Sequence, residues 1–542
     1  MKIKILLFLI ILLAFFLRGY QVGKFPPTLY GDEQAFAWNA YNILKTGQDE
    51  YGNPFPLQFR SFDDYKAPVP VYLLVPFIAV LDLTPLAIRL PIVIASVLTV
   101  IATYFLARSF LNKKTSMIVA FLLAISPWHV HLSRGYFEAT LALLFFVLGV
   151  LFFIRSNLKI KYLILSMFFF ALTLYSYFTP RILLPLFIPF LFWYGYYLNK
   201  KSINTLSLLK KYFISLVILF LLCLPLLKLT FFDKGFSRFE KLYTSRNSVI
   251  IETVNRERYG SGLPENWKKS FHNKPLLWIR EIKNNYLEHL SSSFWYIYGD
   301  SSLRYFTGNM GMFYLMELPF LVIGLYTLWK EKRKIAVFFL GWIFLAAIPA
   351  SLVGRPFAVR SLAILPAPFI FVGYGINKLY TSLRNSWLSK IVSILISVLV
   401  IVSMGSLLIR YYFEYPLYAA TWWGWENKAA INYAKERENQ VDKIFISDFY
   451  TGSVLAFAVY NKIDPFVYRE ALSHPVTMAD GRTLIKLGKY YFGSLDIDNN
   501  RLSAGIIPPK SLYFARPEEA DSGQVIKAPD DGRIIFKIYQ TE

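Results

Sequence analysis

Glu138-Ala-Thr-Leu-Ala-Leu-Leu-Phe-Phe-Val-Leu-Gly-Val-Leu-Phe-Phe-Ile-Arg155 decides the class of fold. Between one carboxylate and one guanidinium, every side chain is apolar or small. Wound as a helix at about 1.5 Å per residue, such a run covers most of the roughly 30 Å of hydrocarbon in a bilayer. Water-soluble helices of this length carry a polar face, and this one has none. The segment reads as a transmembrane span, opened by an acid and closed by a base.

The same pattern recurs on both sides of it. Spans are expected at about 4–19, 88–110, 115–132, 138–155, 160–178, 181–198, 210–231, 311–329, 334–353, 361–379 and 388–410. That makes about eleven helices. Of the 542 residues, 55% are hydrophobic and 18% aromatic, above the composition of ordinary soluble domains. The formal charge of +23 arises from 58 Lys+Arg against 35 Asp+Glu. Its excess gathers in short links between apolar runs rather than in a stripe, which argues for membrane topology and against nucleic-acid binding. The single cysteine, Cys223, lies in an apolar run, so an intrachain disulfide and a thiolate metal cluster are excluded.

The positive links alternate. Arg108, Lys113 and Lys114 follow the second span. Arg155, Lys159 and Lys161 follow the fourth, and Lys200, Lys201, Lys210 and Lys211 the sixth. Lys330, Lys332, Arg333 and Lys334 follow the eighth, and Lys378, Arg384 and Lys390 the tenth. Such alternation places these links, and the N-terminus with Lys2 and Lys4, in the cytoplasm. The first apolar run lacks a small-residue cleavage site, which favours an uncleaved helix over a signal peptide. Pro68–Leu81 is apolar too, but it is short and holds Pro68, Pro70 and Pro76. It suits an interfacial or re-entrant helix, and a crossing there would invert every later link.

The expected fold is therefore an all-α polytopic membrane bundle over 1–410 with a small mixed α/β extracytoplasmic domain over 411–542. Within the bundle, 20–87 and 232–310 form the first and the long outer loops. In the C-terminal part, Trp425–Arg437 has helical periodicity, and Lys443–Ser447, Ser511–Ala515 and Arg533–Tyr539 have strand character. The localisation implied is a cell membrane, with the chemistry on its outer side.

The first outer link carries Tyr30-Gly31-Asp32-Glu33 before a stretch with Phe36, Ala40, Ile43 and Leu44 near helical spacing. That stretch reads as an amphipathic helix on the membrane surface. Paired carboxylates suit the positive end of its dipole. The plain reading is helix capping, with Asp32 as cap and Glu33 in the first turn. Further on come Arg60 and Asp63-Asp64-Tyr65-Lys66-Ala67-Pro68. A lysine just before a proline-led apolar helix sits at headgroup depth, either as a ligand for a lipid phosphate or as a snorkelling anchor. In the next outer link, His129 and His131 have no carboxylate at a metal-motif spacing, so a metal centre is not indicated. Arg355 and Arg360 lie outside, against the usual charge bias, which either binding of an anion or random tolerance of a statistical bias would explain. The long loop holds Arg256–Gly262, Phe294-Trp-Tyr-Ile-Tyr-Gly-Asp300 and Arg304, composition suited to a carbohydrate or peptide cleft or to plain interfacial packing.

The order of Asp32-Glu33 after the first helix, Lys66-Ala67-Pro68 before a short apolar helix and Arg89-Leu90-Pro91 opening the second span resembles the membrane-integral C-type glycosyltransferases, and more narrowly the protein O-mannosyltransferase and aminoarabinose transferase superfamily. Arg134…Glu138 is similar to that family's basic-then-acidic pair, and Arg360-Ser-Leu-Ala-Ile-Leu-Pro366-Ala-Pro368 to its late helix start. The likeness covers about 1–380. Departures are Ala67 where the family often has proline, Tyr65 where His or Glu often precedes the lysine, and Glu138 where Asp is common.

The resemblance implies inverting transfer of a sugar from a polyprenyl-phosphate donor to an acceptor hydroxyl. Asp32 would be the general base and Glu33 its neighbour. Lys66, Arg360 and Arg355 would hold the donor phosphate, while Tyr30, Arg60, Asp64, Arg134 and Glu138 would position sugar or acceptor. Partners would be the lipid-linked sugar, a protein, glycan or lipid acceptor, and the bilayer. No cofactor is indicated, and a divalent metal is allowed but not indicated. The rival from another class, a transporter or flippase of lipid-linked glycans, should place charge at mid-span, where this sequence has almost none.

Overall fold

The computed structural model describes residues 2–62, 64–156, 159–199, 204–231, 249–384, 386–448, 450, 452–478, 481–493, 507–519 and 523–541. Asp63 and the stretch 232–248 of the long outer loop fall outside them. By packing, the chain divides into two compact units. One comprises Met1–Tyr20, Ile92–Ser133 and Phe137–Ser406; the other comprises Gln21–Pro91, Arg134–Tyr136 and Leu407–Glu542.

The first unit is helical. Counting helices of either unit, six of the described ones are long and apolar enough to cross a membrane: Pro85–Arg108, Glu138–Arg155, Pro180–Asn199, Thr205–Leu229, Arg333–Ser351 and Leu388–Tyr418. Pro68–Leu81 and Ile160–Ser176 are shorter apolar helices. Two expected spans are divided at proline. The segment 115–132 becomes Lys113–Ile125 and Pro127–Leu132, where Ser126 Oγ accepts the His129 N–H at 3.3 Å. A proline disfavours helix at the preceding residue and starts a new one readily. Likewise 361–379 becomes the short turn Leu362–Ile364 and the helix Ala367–Leu383 after Pro366.

Helices of this unit approach closely where side chains vanish. A Cβ on Gly324 would meet Phe371 O at 1.8 Å, and one on Gly375 would meet Phe320 O at 2.1 Å, so Leu318–Glu331 and Ala367–Leu383 touch backbone to backbone. Small residues serve membrane helix interfaces in this way, because dispersion rather than water drives the contact. Gly149 faces the Phe170 ring, and Ser166 Oγ donates to Gly149 O at 2.7 Å. Arg18, fully buried, donates to Ala124 O at 2.8 Å and Leu123 O at 3.1 Å and meets His129 Nδ1 at 2.7 Å. It thereby satisfies the carbonyl end of Lys113–Ile125. In the long loop, Phe294, Trp295 and Tyr296 are buried, which is the packing reading of that aromatic run.

The second unit joins the first outer link to the C-terminal region. Its main sheet has seven strands in the order Val476–Thr477, Thr483–Leu487, Tyr490–Phe492, Lys443–Ile446, Ser511–Ala515, Ile534–Gln540, Gln524–Lys527 among the described residues. The central strand Lys443–Ile446 is parallel to both neighbours, and the flanks are antiparallel. One core lies among Phe445, Leu484, Tyr491, Ile507 and Tyr513, while Phe457 of the helix Ser453–Asn461 meets Tyr490 and Phe492 at ring separations of 4.4 and 5.2 Å.

The helix Gly31–Thr46 corrects one expectation. Residues 33–43 are all buried, so it is an internal element rather than a surface-lying amphipathic one. It packs on Pro68–Leu81 and Ser453–Asn461. Its polar face is consumed locally: Gln34 donates to Leu29 O, Asn39 to Ala35 O and Asn42 to Trp38 O. Buried polar groups bonded in this way lose most of their desolvation penalty.

Candidate functional site

Tyr30 is the extended residue before Gly31–Thr46, and Asp32 and Glu33 stand in the first turn. Neighbouring residues on a helix point about 100° apart, so one carboxylate faces in and the other out. Glu33 faces in and is fully buried. Its Oε2 accepts the Tyr30 N–H at 3.3 Å, so Glu33, not Asp32, supplies the capping bond. Its Oε1 accepts the Tyr136 N–H at 2.8 Å and Arg89 Nε at 2.9 Å, and Oε2 accepts Arg89 Nη2 at 3.0 Å. Arg89 also donates to Val22 O, Pro26 O and Thr28 O, at 3.0, 2.9 and 2.5 Å. All five of the N–H donors that a guanidinium carries are thus used. A buried bidentate pair with every proton bonded recovers its desolvation cost by geometry. Glu33 and Arg89 fix where the helix begins, and so where Asp32 stands.

Asp32 faces out, its side chain 35% exposed. Lys66 reaches it from the antiparallel hairpin Phe59–Ser61 and Asp64–Lys66, in which Arg60 lies opposite Tyr65. Ala67 ends the strand and Pro68 starts the next helix, a position where its missing N–H costs nothing. Lys66 is buried, and its ammonium lies 5.8 Å from the Phe36 ring centroid, is ion-paired with Asp32 Oδ1 and is 3.6 Å from Asp64 Oδ2. The structure therefore gathers Asp32, Lys66 and Asp64. Arg60 is exposed on the hairpin, over the Tyr51 ring at 5.3 Å.

Tyr30 and Arg134 are buried, at 2% and 1% exposure. The Tyr30 hydroxyl donates to Tyr136 O at 3.4 Å, and its ring meets Trp423 edge-on. Arg134 donates to Phe25 O at 3.3 Å and lies over the Tyr411 and Tyr412 rings. These contacts tie both side chains into the second unit. Beneath the helix, Glu50 is 4% exposed and accepts from Asn39 Nδ2 at 3.3 Å. Burial pushes its carboxyl up to about 7, against the bonds from Asn39 and Ser61.

Glu138, Arg355 and Arg360 belong to the first unit. Glu138 opens its helix and is half-buried, and Arg355 is exposed. Arg360 is half-buried and lines a cleft with Phe146, Tyr177, Leu183, Val359 and Ala363. His129 and His131 are bonded to Arg18 and to Arg304 O, and among the described residues no group of three or more His, Cys, Asp or Glu could hold a metal. Sequence reasoning gave no role to Arg89 or Tyr136. The signal for Arg89 is an arginine at the opening of an apolar span, where desolvation demands a partner.

Residues 65–227 match the model of a family described as dolichyl-phosphate-mannose-protein mannosyltransferase. No curated protein matches the chain. The fold resembles the oligosaccharyltransferase AglB from Archaeoglobus fulgidus in complex with an inhibitory peptide and a dolichol-phosphate, with a TM-score of 0.52, 15% identity, and coverage of 84% of this chain and 64% of that one. An Archaeoglobus fulgidus oligosaccharyltransferase tethered with an acceptor peptide gives 0.52 at 14% identity, over 84% of this chain and 63% of that one. ArnT from Cupriavidus metallidurans in the apo state gives 0.50 at 10% identity, over 99% and 97%. The chain spans under two thirds of the AglB length it matches and nearly all of ArnT.

Proposed function

We propose that this chain, which has the fold of the membrane-integral C-type glycosyltransferases, moves a sugar from a polyprenyl-phosphate donor to an acceptor hydroxyl on the outer face of a cell membrane. The observation that carries the reading is the Lys66–Asp32 ion pair: one half-exposed carboxylate and one phosphate-ready cation, brought together from separate segments and held by a buried Glu33–Arg89 frame. The alternating lysine links support an outer site and about eleven crossings. The dolichol-phosphate on AglB and the acceptor peptide on the Archaeoglobus fulgidus oligosaccharyltransferase suggest the classes of donor and acceptor. The acceptor is a protein, glycan or lipid hydroxyl.

In this reading the donor phosphate draws Lys66 from Asp32. Asp32 takes the proton of the acceptor hydroxyl as its oxygen bonds to the anomeric carbon. The bond from that carbon to the phosphate oxygen breaks with inversion, and polyprenyl phosphate leaves with the electron pair. Positioned base catalysis gives about 10²–10⁴-fold. A preplaced cation on the leaving phosphate contributes on the order of 3 kcal/mol. Single displacement suits one outward carboxylate, since Glu33 is occupied by Arg89. Asp64 holds Lys66 in place when Asp32 is engaged. Arg360, a cation on an apolar cleft, has the chemistry for a lipid phosphate, and exposed Arg355 assists it.

The test uses membranes holding the protein and labelled polyprenyl-phosphate sugars. Asp32→Asn should abolish label transfer with unchanged membrane abundance, and Lys66→Ala should raise the donor KM. Full transfer by the Asp32→Asn protein removes the mechanism.

A further inference from the structure

Arg360 sits on a tight turn in which both the Ser361 N–H and the Ser361 hydroxyl bond to Phe357 O, at 3.1 and 2.7 Å. Its guanidinium lies over the Phe357 ring, 4.7 Å from the centroid, and the Tyr305 ring packs on Phe357 at 4.7 Å. The turn thus supplies both the backbone and the platform of the arginine.

Three buried polar groups grip two consecutive residues of that turn. Asp300 Oδ2 accepts the Ala358 N–H at 2.6 Å. Trp128 Nε1 donates to Ala358 O at 3.0 Å. His289 Nε2 lies 3.3 Å from the Phe357 N–H. An amide N–H only donates, so Nε2 must be the accepting nitrogen. The ring proton then lies on Nδ1, which donates to Asn285 O at 2.7 Å. Asp300 and His289 are 2% and 0% exposed. Asp300 Oδ1 is held in turn by the Ser302 N–H at 2.8 Å. Gly299 makes this placement accessible: its φ is +67°, and a Cβ there would meet Met310 O at 2.7 Å. A carboxylate and an imidazole are costly to bury when an apolar side chain would fill the same space. Each directs one polar atom at the backbone of the Phe357–Ser361 turn.

We propose that Asp300 and His289 are positioning residues for Arg360, holding the Phe357–Ser361 turn so that the guanidinium is set for the donor phosphate. The inference rests on the reading of Arg360 as a ligand of the donor lipid. Neither residue touches substrate; both act through the turn.

The experiment compares Arg360→Ala, Asp300→Ala, Asp300→Asn, His289→Gln and the double variant Arg360→Ala/Asp300→Ala, purified in lipid nanodiscs. Donor KM, acceptor KM and kcat are measured with a polyprenyl-phosphate sugar, and binding with the sugar-free polyprenyl phosphate. Asp300→Ala should raise donor KM about tenfold, as expected when a buried hydrogen bond is lost. Acceptor KM should stay the same. Asp300→Asn should recover most of the loss, because its amide oxygen can still accept the Ala358 N–H. In the Arg360→Ala background Asp300→Ala should add nothing, the signature of two residues acting in series. If Asp300→Ala does not fold, His289→Gln and Asp300→Asn set against Arg360→Ala carry the same comparison. Impaired Arg360→Ala with normal Asp300→Ala and His289→Gln, or fully multiplicative effects, overturns this inference alone. An unchanged donor KM in Arg360→Ala overturns the reading of Arg360 and this inference together.

Discussion

Asp32 and Glu33 are chemically alike and adjacent, yet their surroundings give them opposite tasks. Glu33 is bound by Arg89, the Tyr136 N–H and the Tyr30 N–H, while Asp32 keeps a solvent-facing carboxylate beside Lys66. Removing one partner of a buried pair costs about 3–5 kcal/mol, because the other is left charged and dry. Arg89→Ala should therefore lower the melting temperature in detergent sharply, and Arg89→Lys should not restore it, since an ammonium cannot reproduce the fork. An unaltered melting temperature in Arg89→Ala would refute this. Glu50 gives a prediction with a sign. Burial raises its carboxyl from 4.5 to about 7, so the folded chain holds that proton more tightly than the unfolded chain. Its contribution to stability is complete below about 4.5 and is lost as pH climbs through about 7. Glu50→Gln should then match the parent at about pH 4 and exceed it at pH 8, by on the order of 3 kcal/mol. Melting curves across that pH range decide the matter.

At the scale of elements, the site is a meeting of a helix start and a hairpin. The dipole of Gly31–Thr46 favours acids at its first turn, and the two-stranded hairpin carries Lys66 to them. Both are short and neither is stable alone, so their packing on Pro68–Leu81 and on the C-terminal helices matters. In the helical unit, the Gly324–Gly375 crossing is the tightest glycine approach among the described residues. Gly324→Val places a branched side chain against Phe371 O, where even a Cβ would lie at 1.8 Å. The expected result is loss of a monodisperse peak on size exclusion in detergent. A normal elution profile would show that the helices can part without harm. In the sheet, Phe445→Ala on the central strand should cost about 3–5 kcal/mol, because its cavity lies between Tyr491 and Tyr513.

Over the whole molecule, the proposed topology makes a labelling prediction. Cys223 is the sole cysteine and is buried, so a Cys223→Ser background allows single-cysteine mapping. In intact cells an impermeant maleimide should label Ser261→Cys and Lys527→Cys, and should reach Lys332→Cys only after permeabilisation. Labelling of Lys332→Cys in intact cells would invert the scheme and remove the outer-face site. The division into units also bears on the C-terminal region. Residues from Leu407 onward pack into one unit with Gln21–Pro91, the segment that carries Asp32, Glu33 and Lys66. The α/β region is therefore packed in one unit with the Asp32 segment rather than standing as a free appendage.

By itself the sequence determined the lengths of the apolar runs, the alternation of basic links, the helix Trp425–Arg437, and three strands of the sheet, because each is written in neighbouring residues. Strand pairs such as Thr483–Leu487 with Tyr490–Phe492 were not legible, since short segments become strands only when a partner edge accepts their hydrogen bonds. The sequence also brought Asp32, Glu33 and Lys66 forward as candidates. It could not say which carboxylate faces outward. That depends on Arg89, 56 residues away, and Tyr136, 103 residues away, both of which claim Glu33 in the interior. Tertiary structure decided it because a buried carboxylate requires donors from distant segments, and only the fold supplies them.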